Sequence, residues 1–166
     1  MKSLSKYLIE SVNSNIENNE IIDWIINNTK KVNKSKIVID TSTTPYTVNY
    51  NDHIEFNTNI ESFTNGMFQW GKVDHMFCEY NQNLTSLKGA PKIINKDFDC
   101  MNCEKLTSLK GLPNKIGGTF SCNSCPSLKT LEGLPNKIGV DLYCYNKNFN
   151  EDDIKRICDV KRDIYC

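Results

Sequence analysis

The sequence has no net charge and no long apolar segment. Lysine and arginine together number 20, and so do aspartate and glutamate, in a chain of 166 residues. Because these charges balance, we expect no overall attraction to nucleic acid or to an anionic membrane, and any electrostatic preference must come from local segregation of charge. No apolar run approaches the roughly 18 residues that a membrane-spanning helix requires. We therefore expect no membrane partner.

The first residues also lack the pattern of a secretory signal peptide. The segment MKSLSKYLIESVNSN has neither an apolar core nor a small-residue cleavage site. Eight cysteines would suggest disulfide bonds in a secreted chain. Without a signal peptide we expect reduced thiols and a cytoplasmic location. The same first residues resemble the N-termini of proteins encoded by large tailed phages. This implies a phage or bacterial accessory or effector protein in the host cytoplasm, or a component of the virion.

The sequence does contain an internal repeat. Cys78, Cys100, Cys122 and Cys144 are evenly spaced, and their interval of about 22 residues lies in the range of known solenoid repeats. The segments that come after the first three of them read LTSLKGAP, LTSLKGLP and LKTLEGLP. A fixed period of this length predicts a solenoid, in which each repeat buries its apolar face against the next.

The order of residues within each repeat resembles the leucine-rich repeat. Phe98 and Cys100 are two positions apart, Cys103 stands in a slot that other repeats fill with Asn, and Leu106 opens a pair of leucines. The length and the Leu-Pro near the end are similar to the short bacterial and viral type of this family. The resemblance covers about residues 54–149. It implies an α/β solenoid of about five rungs with a parallel β-sheet on its concave side.

The N-terminal segment has a different pattern. Residues 2–12 and 20–29 carry apolar residues at helical spacing, with a polar break between them. Residues 37–39 and 46–50 alternate in the manner of β-strands, and the Thr-rich turn between them suggests a hairpin or an arch. We therefore predict an α+β cap over residues 1–50, with two helices and two strands joined by a hairpin or an arch.

The C-terminal segment returns to a helical pattern after the solenoid predicted for residues 54–149. Asn150 suits an N-cap, and the three acidic residues after it suit the first turn of a helix. Apolar residues then recur at helical spacing. We predict a helix over 151–165 that caps the last rung, within a C-terminal segment 150–166.

Two Cys-x-x-Cys pairs have the spacing of a zinc ribbon. Cys100 and Cys103 are followed, after a spacer of about 18 residues, by Cys122 and Cys125. Each of these cysteines nevertheless occupies a slot that another repeat fills with Asn or Phe, and buried free cysteine behaves as a small apolar residue. We favour a structural ladder of buried thiols with no metal and no cofactor. Zinc binding and disulfide bonds between rungs are the alternatives.

Aligning the repeats places three columns of residues on the outward face of the predicted sheet. Residues two apart in a strand share a face, so the residues that flank the buried positions point outward. These candidate partner-binding residues are His53, His75, Asp97 and Asp141 in the first column, Glu55, Phe77, Asp99 and Tyr143 in the second, and Glu79, Met101 and Tyr145 in the third, with Tyr80 just beyond.

The columns predict a recognition surface. They contain carboxylates and aromatic rings but no lysine or arginine, whereas many lysines fall on the connecting segments. Exposed aromatics among polar groups are typical of protein interfaces. We therefore expect a non-catalytic module that binds a basic or apolar-basic segment of another protein. Nucleic acid is disfavoured, because an acidic face repels phosphate.

Two further alternatives remain open. His53 and His75 stand on adjacent rungs beside Asp97, which is a second possible zinc site. No nucleophile or phosphate-binding loop accompanies these residues, so we expect no enzyme activity. The other alternative is a structural protein that assembles with copies of itself or within a virion.

Overall fold

The computed structural model describes residues 4–146 and 148–166, with side chains from residue 15 onward. Most of the chain forms a parallel-sheet solenoid of about 5 turns. The coarse prediction of a solenoid is therefore confirmed, while the assignment to leucine-rich repeats stays a prediction. No helix among the described residues combines the length and the hydropathy needed to cross a bilayer.

A long N-terminal helix precedes strands that become very short along the solenoid. In chain order the elements are α1 (Leu4–Asn28), β1 (Thr29–Lys31), a 3-10 turn (Lys34–Lys36), β2 (Ile37–Asp40), β3 (Tyr46–Phe56), β4 (Phe68–Phe77), β5 (Ile93–Ile94), β6 (Phe98–Asp99), β7 (Lys115–Ile116), β8 (Phe120–Ser121), β9 (Lys137–Ile138), β10 (Leu142–Tyr143), α2 (Glu151–Ile157), β11 (Asp159–Val160) and β12 (Ile164–Tyr165).

Two ladders of parallel strands run along the solenoid and meet in β4. Lys72 and Val73 of β4 pair with β5, whereas Met76 and Phe77 pair with β6. We call β5–β7–β9–β11 the back ladder and β3–β4–β6–β8–β10–β12 the front ladder. Partners along both ladders are mostly one repeat period apart, as for Phe98 and Phe120. Each residue therefore lies beside the residue that fills the same slot in the next repeat.

The inward slots of all rungs form one continuous apolar core. The alternation of each strand sends Phe98 and Cys100 inward, and both are buried. The other rungs repeat this burial. The core includes Ile54, Phe56, Met76, Cys78, Phe120, Cys122, Leu142 and Cys144, together with Leu84, Leu106, Leu128, Ile94, Ile116 and Ile138.

The Asn or Cys slot closes a hydrogen bond between neighbouring rungs. Asn81 Nδ2 donates to the carbonyl oxygen of Asn57 at 2.9 Å, and Cys103 Sγ donates to that of Cys78 at 3.3 Å. Cys125 repeats this bond one rung further along, at 3.2 Å. A carbonyl at the bend after the strand would otherwise lose its partner on burial. Asn and Cys can share the slot because each donates to the preceding rung, although Asn81 reaches a carbonyl one residue further along that rung than the cysteines do.

The N-terminal helix differs from its prediction. α1 is continuous from Leu4 to Asn28, so the prediction of two helices with a break at residues 13–19 is wrong. Asparagine lowers helix propensity by less than about 1 kcal/mol per residue, which packing overrides. That packing comes from Ile21 and Ile25, both fully buried in the core. Residues 1–3 and the side chains of residues 4–14 lie outside the described part.

Antiparallel strands border the first rung. β1 and β2 both pair with β3, so the predicted connection between β2 and β3 is a hairpin and not an arch. β3 also pairs in parallel with β4 from Tyr46 onward, well before the predicted start of the solenoid at residue 54. The separation of residues 1–50 as a capping domain stays a prediction.

The C-terminal segment also differs from its prediction. α2 begins after the N-cap Asn150 and ends at Ile157, so the prediction of a helix over 151–165 is wrong beyond that residue. β11 and β12 then extend both ladders, with Ile164 opposite Leu142. The helical spacing of the apolar residues was coincidental. The missed signal was the phase of the repeat itself, which continues from Leu142 to Ile164 and from Cys144 to Cys166.

Gly117 lies between β7 and β8, where successive rungs touch through their backbones. A Cβ at this position would lie 1.8 Å from the carbonyl oxygen of Asn95. We predict that Gly117→Ala lowers the free energy of unfolding by more than about 2 kcal/mol, because relief of the clash requires the rungs to separate. Urea denaturation measures this loss.

Gly66→Ala is the matched control for this substitution. A Cβ on Gly66 meets no atom within 4 Å, so only the positive φ of +90° opposes the change. That strain costs about 1–2 kcal/mol for an L-residue. Equal losses for the two variants would contradict the close backbone packing at Gly117.

Candidate functional site

The outward side chains of the front ladder bring the predicted columns together. The strand register places His53 opposite His75 and Phe77 opposite Asp99, as the alignment of the repeats predicted. We call this surface the ladder face. It consists of His53, Glu55, His75, Phe77, Glu79, Tyr80, Asp97, Asp99, Met101, Thr119, Ser121, Asn123, Asp141, Tyr143, Tyr145, Asp163 and Tyr165.

The two histidines lie side by side but have different partners. Their ring centroids are 6.4 Å apart. His75 Nδ1 lies 3.1 Å from Asp97 Oδ2, while the ring of His53 packs against Phe77 at a centroid distance of 4.6 Å. Asp97 Oδ1 accepts a hydrogen bond from the backbone N–H of Thr119 at 2.8 Å. These residues form a polar ladder whose contacts run from rung to rung.

The cysteines of the two Cys-x-x-Cys pairs are free and buried in the core. Burial raises the pKa of the Cys100 and Cys122 thiols well above its ordinary value. Hydrogen bonds with the Cys100 and Cys103 thiols instead lower the pKa of the Cys125 thiol, so the four cysteines do not share one protonation state. Among the side chains of residues 15–146 and 148–166, no group of three or more His, Cys, Asp or Glu is arranged to hold a metal ion. Neither zinc alternative gains support from the geometry.

The carboxyl groups of Asp99 and Glu79 are incompletely solvated. Burial raises the pKa of Asp99, although its Oδ1 accepts a hydrogen bond from the backbone N–H of Met101 at 2.8 Å. Burial also raises the pKa of Glu79, and the negative charges of Asp99 and Glu55 raise it further. A positive charge placed between these two groups would favour their ionised forms.

One lysine reaches the ladder face from outside the columns. Lys30 in β1 forms an ion pair of 2.6 Å with Glu55, because β1 pairs antiparallel with that end of β3. The columns themselves contain no lysine or arginine, as predicted. The sequence carried little signal for Lys30, since a short strand directly after a helix has no recognisable period.

Aromatic side chains stand on the same face as the carboxylates. Tyr143 and Tyr165 stack with their ring centroids 4.6 Å apart and their planes 6° from parallel. Tyr80 and Tyr145 are each 55% exposed. Tyr165 was absent from the predicted surface, although it follows Tyr143 by one period of the repeat. Exposed rings beside carboxylates can hold a side chain that is both apolar and cationic.

Lysines occupy other surfaces of the solenoid. Lys115 and Lys137 are neighbours in the back ladder. The connecting-segment lysines are all exposed, at positions Lys88, Lys92, Lys96, Lys105, Lys110, Lys115, Lys129 and Lys137. These surfaces also carry carboxylates, such as Glu132 beside Lys110 and Asp159 beside Lys137, whereas the columns of the ladder face contain no lysine.

Tyr80 adopts a backbone conformation that suits Asn better than Tyr. Its φ is +57°, and Asn102 fills the same turn slot one rung further along with a φ of +55°. We predict that Tyr80→Asn raises the free energy of unfolding by about 1 kcal/mol, because Asn tolerates the left-handed region. The reciprocal variant Asn102→Tyr is expected to lose a similar amount in urea denaturation. A loss of stability in Tyr80→Asn would contradict this explanation.

Asp99 is expected to lower stability as its carboxyl group ionises. Because its pKa is raised in the folded protein, the folded state binds more protons than the unfolded state just above the ordinary carboxyl pKa. Stability therefore falls as pH rises through that window. Asp99→Asn keeps an acceptor for the Met101 N–H but cannot ionise. We predict a gain at pH 7 of less than about 1 kcal/mol, since the group is partly solvated.

Thermal and urea unfolding of both proteins between pH 3 and pH 8 measures this effect. The advantage of Asp99→Asn is expected to disappear below about pH 4, where an ordinary aspartate is protonated in both states. An advantage that persists at low pH would show that packing, and not ionisation, is responsible.

Comparison with family models, with curated proteins and with solved structures finds no significant match to this chain. The solenoid architecture is therefore established by the strand pairing alone. What the ladder face does has to be inferred from its own chemistry.

Proposed function

We propose that the protein is a non-catalytic binding module whose ladder face holds a basic or apolar-basic segment of another protein. One observation carries this proposal. Carboxylates and exposed aromatic rings share one sheet face, whose columns contain no lysine or arginine. The repeat order supports membership of the leucine-rich repeats, which would place this sheet on the concave side. The resemblance of the first residues supports a phage or bacterial accessory protein that acts in the cytoplasm or the virion.

Most carboxylates of the ladder face have no lysine or arginine partner among the described residues. On this face Lys30 pairs with Glu55, and the imidazole of His75 lies beside Asp97. No described lysine or arginine pairs with Glu79, Asp97 or Asp99. A cation from a partner would meet negative charge that is already partly desolvated, where its attraction is stronger than in bulk water. Electrostatic complementarity of this kind gives specificity and fast association.

The aromatic rings determine what kind of cationic segment fits. Lysine and arginine have apolar stems that pack along rings while the charged end reaches a carboxylate. Tyr143 and Tyr165 provide a stacked ring pair near Asp141, and Phe77 adjoins Asp99. A highly charged but apolar-poor ligand would leave these rings unused. A peptide that alternates cations with apolar residues uses both.

Selection from a library of displayed short peptides tests the proposal. The wild-type protein is expected to enrich peptides rich in lysine or arginine with apolar neighbours. A triple variant, Glu79→Gln with Asp97→Asn and Asp99→Asn, removes three negative charges but keeps the acceptors for the backbone. We predict that it loses at least 10-fold in affinity for the enriched peptides, because about 1.4 kcal/mol of lost charge interaction has that effect.

The matched control neutralises lysines of the back ladder. Lys115→Gln with Lys137→Gln removes two charges of the opposite sign from a different surface and is expected to leave affinity within about 2-fold. Circular dichroism confirms that all variants fold. Enrichment of acidic peptides, or unchanged affinity of the triple variant, would refute the assignment of the ladder face.

The structure also favours a second candidate function, in assembly. β11 pairs only with β9 and β12 only with β10, so one edge of each strand is unpaired in the described chain. Exposed strand edges are templates for pairing with another chain. A stable oligomer in light scattering would support this function, and a monomer at high concentration would count against it.

A further inference from the structure

The ladder face is not uniformly acidic along the solenoid. The rung of β6 carries Asp97 and Asp99, while the rungs of β10 and β12 carry Asp141 and Asp163. Between them the rung of β8 carries the small neutral residues Thr119 and Ser121, of which Ser121 is buried. One neutral rung therefore separates the acidic rung of β6 from the next acidic rung, that of β10.

The interval between the acidic rungs follows from the sheet. Neighbouring strands are about 4.8 Å apart, so the rungs of β6 and β10 are separated by about 9.6 Å. A polyproline II segment rises about 3.1 Å per residue and advances about 9.3 Å in three residues, which is one full turn. Residues three apart therefore present side chains in the same direction at nearly the interval of the two acidic rungs. Residues two or five apart point in directions that differ by a third of a turn, so only one of two such cations would face the sheet.

The conformation of the ligand follows from what the face can offer. The backbone groups of β6, β8 and β10 bond one another within the front ladder, so a strand added on top of the face would find no backbone partners. A polyproline II segment needs none, since it has no internal hydrogen bonds and its backbone stays solvated. Aromatic side chains such as Tyr143 are the usual platform for proline rings in this mode of recognition.

We infer that the partner segment is a polyproline II peptide that runs along the solenoid axis and carries two lysine or arginine residues three positions apart. The first cation pairs with Asp97 and Asp99, and the second pairs with Asp141. The two residues between them lie over Thr119 and Ser121 and against Tyr143. This inference rests on the proposed function and adds to it the spacing and conformation of the ligand.

Synthetic peptides of equal length and charge test the spacing. The core of the first is Lys-Pro-Pro-Lys, while the others carry their two lysines two or five positions apart, with prolines elsewhere in all three. Fluorescence anisotropy with the full chain at low salt is expected to show at least 10-fold tighter binding of the first. The same preference is expected to vanish in Asp141→Asn, whose amide oxygen still accepts from the backbone N–H of Asp163.

Two controls complete the experiment. Glu132→Gln removes an exposed carboxylate that pairs with Lys110 away from the ladder face, and it is expected to leave the preference intact. A Lys-Gly-Gly-Lys peptide keeps the spacing without the polyproline II bias, and it is expected to bind at least 5-fold more weakly. Equal binding of this peptide would overturn the conformational part of the inference.

The remaining outcomes separate this inference from the proposed function. Equal binding of all three spacings, lost in the Glu79, Asp97 and Asp99 triple variant, would overturn the spacing and leave the basic-segment function standing. Failure of all three peptides would overturn the inference. Whether the broader function also failed would then be decided by the displayed library.

Discussion

The in-register stacking of parallel rungs is the constraint on which the rest of this structure depends. Phe98 lies beside Phe120, and Ile94 lies beside Ile116, so residues at equivalent positions of successive repeats must pack against one another. Apolar residues meet this requirement by van der Waals packing. Asn and Cys meet it by donating a hydrogen bond to a carbonyl of the preceding rung. Gly117 permits a backbone approach that any Cβ would prevent.

The same constraint explains the composition of the ladder face. Like charges directly opposite each other on neighbouring strands are destabilising, so a stack of carboxylates needs interruptions. Asp97 has the imidazole of His75 on one side and the N–H of Thr119 on the other. Asp99 is followed by Ser121 in its column. Asp141 and Asp163 are adjacent, and there the N–H of Asp163 donates to the Asp141 carboxylate. The neutral rung of β8 thus divides the carboxylates of the face into two groups, which a ligand can distinguish.

The features that the sequence predicted well are those that follow from the repeat. The burial of Cys100 and Cys122, and the pairing of His53 with His75, come from phase alone. The features that the sequence did not predict lie outside the repeat or carry a second pattern that obscures it. Lys30 reaches Glu55 through an antiparallel strand outside the repeat, and a chance helical spacing obscured the final strands. The continuity of α1 depended on burial of its C-terminal half, which no local propensity reveals.

Binding through the face and assembly through the edge draw on separate parts of the molecule. The face offers only side chains, because the strands beneath it satisfy one another's backbone groups. The edge offers backbone donors and acceptors of β11 and β12 and is indifferent to most outward residues. Substitutions such as Asp141→Asn alter the chemistry of the face while leaving those backbone groups in place. Substitutions can therefore distinguish the two candidate functions within one folded protein. The fold permits both, because the stacking of rungs leaves the outward side chains and the end-strand edges available for contacts.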